Sequence, residues 1–259
     1  MSEIAGCIGT DSAGQQTLEL LSAESGQGVS YAGISFASPD GEGFHQRLMT
    51  SGEYGGWEEP PDEPARGSGC LALGLRESGI PPVVLQPQVV TVNGTHVAYA
   101  HGSIVRFWIE SLGWCPREVG LRALAAQGRR LADGTAGILQ FLLHQTDPGH
   151  SVVGRIDQVL TMVEGDYCIA FVCEQYLVVA RHATGELPIF VNRRGASAYF
   201  GSNESVLRGC GKLCREIPPG FMLILRADGF SHLRSIPRLA DVLRPYCPFS
   251  FRVDASRRR

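Results

Sequence analysis

Ala180-Arg181-His182-Ala183-Thr184-Gly185-Glu186-Leu187-Pro188-Ile189 is the stretch on which the fold turns. An apolar run over residues 176–181 leads into it and another over 189–192 leads out. Each run is too short for a helix, and Thr184-Gly185 and Pro188 punctuate the space between them, so the segment reads as two strands joined by a turn. The pattern continues on both sides. Residues 167–173 precede it as a further strand, and residues 198–202 and 221–226 follow, the last bounded by the turn signal Ala227-Asp228-Gly229.

Upstream the periodicity changes. Residues 117–131, 135–144 and 151–163 carry apolar positions at helical spacing, and Glu164-Gly165-Asp166 reads as the break that ends the third helix. Before them the text is β-like again at residues 1–10, 29–36, 71–75, 83–92 and 96–107, with one helix-compatible segment at 15–24. Residues 38–69 are dense in Gly, Pro, Glu and Asp and read as loop, with at most a short strand over 44–49. Strands, then helices, then strands do not alternate as βαβ units, which disfavours a parallel dinucleotide-binding sheet. The order predicts an α+β protein of two sheets with helices outside them.

Composition excludes several classes. The 259 residues are 44% apolar and 19% charged, ordinary for a globular protein with a sizeable core. A net charge of -3 supplies no phosphate-neutralising surface, so nucleic acid is not expected as a partner. The Arg257-Arg258-Arg259 terminus reads as a solvated tail. No apolar run reaches the length of a membrane span, and Ile4-Ala5-Gly6-Cys7 lacks the basic start and apolar run of a signal peptide, so a cytoplasmic protein is expected. Cys7, Cys70, Cys115, Cys168, Cys173, Cys210, Cys214 and Cys247 include no C-x-x-C pair, and buried free thiols are expected rather than a metal site. Gly26-Gln27-Gly28 opens like a dinucleotide turn but has Tyr31 where the third glycine belongs; no cofactor is expected.

The order of particular residues goes further. Ala5-Gly6-Cys7-Ile8-Gly9, the segment 27–34, Leu73-Gly74-Leu75-Arg76-Glu77-Ser78 and Ala98-Tyr99-Ala100-His101-Gly102-Ser103-Ile104 are followed by the opening decapeptide, Ser202-Asn203-Glu204-Ser205 and Ile217-Pro218-Pro219-Gly220. In that order they resemble the motifs of class II glutamine amidotransferase domains, the N-terminal-nucleophile type, closest to the amidophosphoribosyltransferases. The likeness covers residues 4–251 and implies a four-layer αββα sandwich over residues 1–251, with an Arg-rich tail at 252–259. The chain stops where such a protein would enter its phosphoribosyltransferase domain, so the resemblance implies a stand-alone amidotransferase-like subunit unless a separate partner chain supplies the synthase, and a protein partner subunit is expected.

The same resemblance puts the chemistry in doubt. Ala5 stands where the family has the catalytic cysteine, whose own α-amino group serves as base, and Met1–Ile4 precede it here. Losing a covalent nucleophile costs on the order of 10⁶ in kcat. The oxyanion pair would be His101-Gly102, keeping the backbone donor but replacing the family's Asn. Arg76 retains the guanidinium that would clamp a glutamine α-carboxylate, though it reads equally as structural. The element that holds the substrate ammonium maps onto Gly134-Thr135-Ala136-Gly137, without a carboxylate unless Asp133 takes part. Cys7 is the fallback nucleophile, exposed only by cleavage after Gly6, although it falls on an apolar strand position. Three expectations follow: a non-catalytic scaffold or regulatory subunit, a glutamine hydrolase using Cys7 after processing, or a sensor of glutamine or another small carboxylate built on Arg76 and His101.

Overall fold

The computed structural model describes residues 2–10, 13–22, 30–37, 44–51, 57–58, 71–78, 90–92, 95–98, 102–129, 131, 135–173, 176–195, 197–211, 214–226, 228–229 and 231–236. Along the chain come β1 (Ser2–Ile8), α1 (Ala13–Ser22), β2 (Ser30–Ala37), β3 (Phe44–Ser51), β4 (Trp57–Glu58), β5 (Leu71–Ser78), β6 (Val90–Val92), β7 (Thr95–Ala98), β8 (Gly102–Ile109) and β9 (Gly113–Pro116). Then follow α2 (Arg117–Ala126), α3 (Thr135–Gln145), α4 (Val152–Thr161), β10 (Val163–Cys173), β11 (Tyr176–Arg181), β12 (Phe190–Arg194), β13 (Ser197–Gly201), α5 (Glu204–Arg208), β14 (Arg215–Glu216), β15 (Phe221–Arg226) and β16 (Ser231–Ser235).

The strands form two antiparallel sheets. One runs β14-β12-β13-β1-β5-β2-β3-β4; the other runs β16-β15-β11-β10-β7-β6, with β8 also paired to β10 and β9 to β8. Alternate residues of a strand face opposite sides, so a strand covered on both sides must be apolar on both. β11 meets that demand, with Leu177, Val178, Val179 and Ala180 all fully buried. α1 lies against β1, β5 and β2 of the first sheet, and α5 against β12 and β13. On the second sheet, α2 covers β8 and β9, α3 covers β6, β7 and β8, and α4 covers β10. Helix, sheet, sheet, helix is the αββα order, and the main core joins Ile4, Ile8 and Phe200 of the first sheet to Phe171, Val178 and Met222 of the second.

Several boundaries differ from the sequence reading for local reasons. Glu164-Gly165-Asp166 does not end the helix: α4 stops at Thr161, and the tripeptide belongs to β10, whose pairing with β8 shifts register between Glu164 and Gly165. Gly165 has φ +154, and a Cβ there would sit 2.1 Å from the Ser103 carbonyl oxygen, so the bulge needs glycine. The strand read over 96–107 is two strands, β7 and β8, which pair successively with one edge of β10. Residues 83–89 and the tail at 252–259 lie outside the described residues. Among the described residues no helix is long and apolar enough to cross a membrane.

Arg181 ties the sheets together at one end. It ends β11 in the second sheet and is 4% exposed. Its Nη1 donates to Glu216 Oε1 of β14 at 2.6 Å and to the Ile217 carbonyl at 2.7 Å, while Nη2 donates to the Gly185 carbonyl at 2.5 Å. Buried carbonyls stripped of a donor are costly, whereas an exposed carboxylate rehydrates. Arg181→Leu is therefore expected to lower unfolding stability by about 2–4 kcal/mol, and Glu216→Gln, at a half-exposed partner, by less than about 1 kcal/mol. Urea titration of both variants checks the order; equal losses would contradict it.

Candidate functional site

β1 lies in the middle of its sheet, and this decides the surroundings of Ala5. Ala5 pairs with Gly201 of β13 on one side and Gly74 of β5 on the other. The strand starts three residues earlier, and the Ile4 amide donates to Ser202 Oγ at 3.1 Å while its carbonyl accepts from the Ser202 amide at 2.9 Å. Alternation sends Ile4 and Ile8 to the core between the sheets, and Ala5 and Cys7 to a smaller cluster with Ala13, Leu20 and Leu21 of α1, Tyr199 and Leu207. The void beside Ala5, lined by Leu20, Leu21, Ser202 and Leu207 among others, measures about 10 Å³. That is room for about one water molecule.

Cys7 is fully buried, and its Sγ contacts Gln16 Oε1 at 3.6 Å. Burial pushes its thiol up to about 12, with the neighbouring Cys210 adding to the effect. A nucleophile must be a thiolate, so the folded chain holds Cys7 in the unreactive form at neutral pH. Cys168 is similar: burial raises it to about 12, offset in part by Arg181, and its Sγ lies 3.2 Å from the Leu187 carbonyl. Among the described residues no group of three or more His, Cys, Asp and Glu side chains is placed to hold a metal.

The other sequence-derived positions fall in different elements. Arg76 is opposite Glu3 in the β1–β5 ladder, two residues along from the Ala5–Gly74 pair. Gly102 opens β8 in the second sheet, opposite Tyr167. Its φ is +106, and an added Cβ would stand 2.1 Å from the Asp166 carbonyl oxygen, so a tight approach to β10 already requires glycine there. Thr135 is buried at the start of α3. His101 and Asp133 lie outside the described residues.

Beside Gly102 is a polar chain that no sequence motif marks. His182 Nδ1 is 3.1 Å from Thr184 Oγ1, and that hydroxyl donates to Asp166 Oδ1 at 2.6 Å. The His182 ring lies 4.9 Å from the Tyr167 ring, centroid to centroid. Burial lowers the His182 pKa, partly opposed by Asp166 and Glu164. The decapeptide supplies His182 and Thr184, but Asp166 comes from the segment that reads as a helix break.

No protein-family model and no curated protein sequence matches the chain. Solved structures do match. The glutamine phosphoribosylpyrophosphate amidotransferase of B. subtilis, complexed with ADP and GMP, superposes with a TM-score of 0.70 at 21% identity, over 91% of this chain and 49% of that one. The fold is that of a class II glutamine amidotransferase domain. A structure described as the allosteric regulatory enzyme of purine biosynthesis gives a TM-score of 0.65 at 20% identity, again over 91% of this chain and 49% of the other. A glutamine aminotransferase class-II domain protein from Silicibacter pomeroyi gives 0.51 at 15% identity, over 91% of this chain and 98% of that protein. The chain thus spans about half the length of the first two.

Within this amidotransferase-like domain, Ala5 and Arg76 share one ladder, while Gly102 and Thr135 belong to the second sheet and the helix over it. Two outcomes are expected. In native protein at pH 7, iodoacetamide should leave Cys7 unmodified, and in urea it should modify it; peptide mass spectrometry reads both, and native labelling would contradict the burial. His182 has a folded pKa below its unfolded value of about 6.5, so the folded state binds fewer protons and stability is lost as pH falls below that value. His182→Gln should therefore show a shallower loss of melting temperature between pH 7 and 5 than the parent protein.

Proposed function

We propose that this chain is an amidotransferase-like subunit that acts by binding, as a scaffold or regulatory partner of a separate synthase or transferase, without hydrolysing glutamine. The observation that carries the reading is Ala5. At the position where the resemblance puts the nucleophile there is a methyl group, buried in the middle of a paired strand. Amide hydrolysis by this family's route needs a thiolate to attack the side-chain carbonyl carbon and a neighbouring amine to take the proton. At Ala5 the sulfur is missing, the nitrogen is a peptide amide, and the adjoining void of about 10 Å³ has no space for a glutamine side chain.

The alternative nucleophile fares no better in the folded chain. Cys7 is buried, its thiol is held at about 12 by desolvation, and β5 and β13 flank it on either side. Gly102 could still offer a backbone amide, but an oxyanion donor accelerates nothing unless a nucleophile forms the oxyanion.

Ammonia release from glutamine, measured on the full chain and on Ala5→Cys, tests this. Neither is expected to exceed the enzyme-free blank, and intact mass should show residues 1–6 retained. Turnover by the parent chain would overturn the proposal; turnover by Ala5→Cys alone would mean that the pocket is competent and only the nucleophile is missing. In a native lysate the chain should elute with a stoichiometric partner, and a strictly monomeric profile would count against the binding role.

A further inference from the structure

A second cavity lies at the β12–β14 end of the first sheet. It occupies about 970 Å³ between the β12–β14 edge of the first sheet and the β15–β16 end of the second. This is the size of a site for a small organic molecule. Its floor is apolar, with Val191, Ile217, Leu223 and Leu233 among the lining residues. Its charged lining residues are Arg193, Arg194, Arg215 and Glu216, and the carboxylate of Glu216 is already engaged by Arg181 at 2.6 Å. The remaining three are guanidinium groups. Arg193 spans the mouth, donating to Ser231 Oγ at 3.1 Å and to the Gly229 carbonyl. The Arg215 side chain makes no hydrogen bond or ion pair among the described residues, while Arg194, on the opposite face of β12, also lines a smaller pocket with Gln16, Glu19 and Tyr199.

The walls are fixed before any ligand arrives. Asn192 is 1% exposed, and its Nδ2 donates to the Leu207 carbonyl at 2.7 Å and the Gly211 carbonyl at 3.2 Å, while its Oδ1 accepts from the Arg193 amide at 2.7 Å. A Cβ on Gly211 would lie 2.6 Å from both the Arg193 carbonyl oxygen and Asn192 Oδ1, so the 209–211 wall is pressed onto β12. On the other side Arg181 holds Glu216 and Ile217. A rigid wall lowers the ordering cost of binding, and planar guanidinium forks suit phosphate or carboxylate oxygens.

From this geometry we infer that the cleft is a binding site for a small organic anion: an apolar body seated on Val191, Leu223 and Leu233, with a phosphate or polycarboxylate group held by Arg193 and Arg215. The inference is independent of what happens at Ala5. It uses no residue of the β1–α1 cluster and requires no reaction.

The probe is 8-anilinonaphthalene-1-sulfonate, an apolar body with one anionic group, titrated into the full chain and followed by fluorescence. One saturable site per chain is expected. Arg193→Ala/Arg215→Ala should weaken it at least about tenfold, matching loss of charge-assisted contacts, and Arg122→Ala on exposed α2 should leave it unchanged. Single Arg215→Glu is the second variant, and the melting curve of each establishes that it is folded. Pyrophosphate and citrate are the competing arms; displacement by the first at lower concentration assigns a phosphate group, by the second a polycarboxylate. Absence of saturable binding to the folded chain would overturn the inference, as would unchanged affinity in the double variant. Displacement by a pentaglutamate peptide, with neither small anion competing at millimolar concentration, would also overturn it in favour of an acidic protein segment.

Discussion

A buried guanidinium is tolerated only where acceptors converge on it, and at Arg181 three acceptors come from two separate stretches of chain. One is the turn that follows its own strand, at Gly185; the other holds Glu216 and Ile217, across in the opposite sheet. The desolvation cost of the charge is offset only when those backbone segments are correctly placed. Arg181 therefore sets the distance between β11 and the β14 edge, and with it the end of the sandwich that opens into the large cleft. Arg193 makes a matching connection from the first sheet to the β15–β16 turn. Between them the apolar layer needs no polar help.

The central place of β1 has the opposite consequence at Ala5. Strands on both sides and α1 above pack Ala5 into the sheet. The face that holds Ala5 and Cys7 is a packed cluster sealed by Leu20, Leu21 and Leu207. Within it a thiol is stabilised as the neutral form, because the low-polarity surroundings solvate a thiolate poorly. Among the described residues two polar groupings lie away from it: the His182–Thr184–Asp166 chain against β10, and the guanidinium-lined cleft between the sheet ends.

Much of the architecture was legible from pattern. β11 and β15 are short apolar runs between turn residues, and α3 and α4 carry helical spacing with a breaker after each. The elements that escaped notice share a physical cause. β16, Ser231-His232-Leu233-Arg234-Ser235, is exposed along its whole length, so no alternation marks it; its strand geometry comes from pairing with β15. β14 has two residues, and α5 has five. Neither is long enough to show a period. Glu164-Gly165-Asp166 looked like punctuation because a bulge needs the same glycine as a turn does.

For the site, sequence alone determined identities: alanine at 5, arginine at 76, glycine at 102, and a run of motifs whose order matches the fold that the structure shows. Those follow from residue type and spacing, which are local properties. Whether a side chain is reactive depends on what surrounds it, and that is settled by contacts between residues far apart in the chain. Only the tertiary structure buried Cys7 beneath α1, joined His182 and Thr184 to Asp166, and carried Arg193, Arg194 and Arg215 to one cleft. The opening decapeptide shows both sides of this division. Its spacing announced two strands and a turn, while the role of Arg181 in holding two sheets together required Glu216 and Ile217, more than thirty residues away.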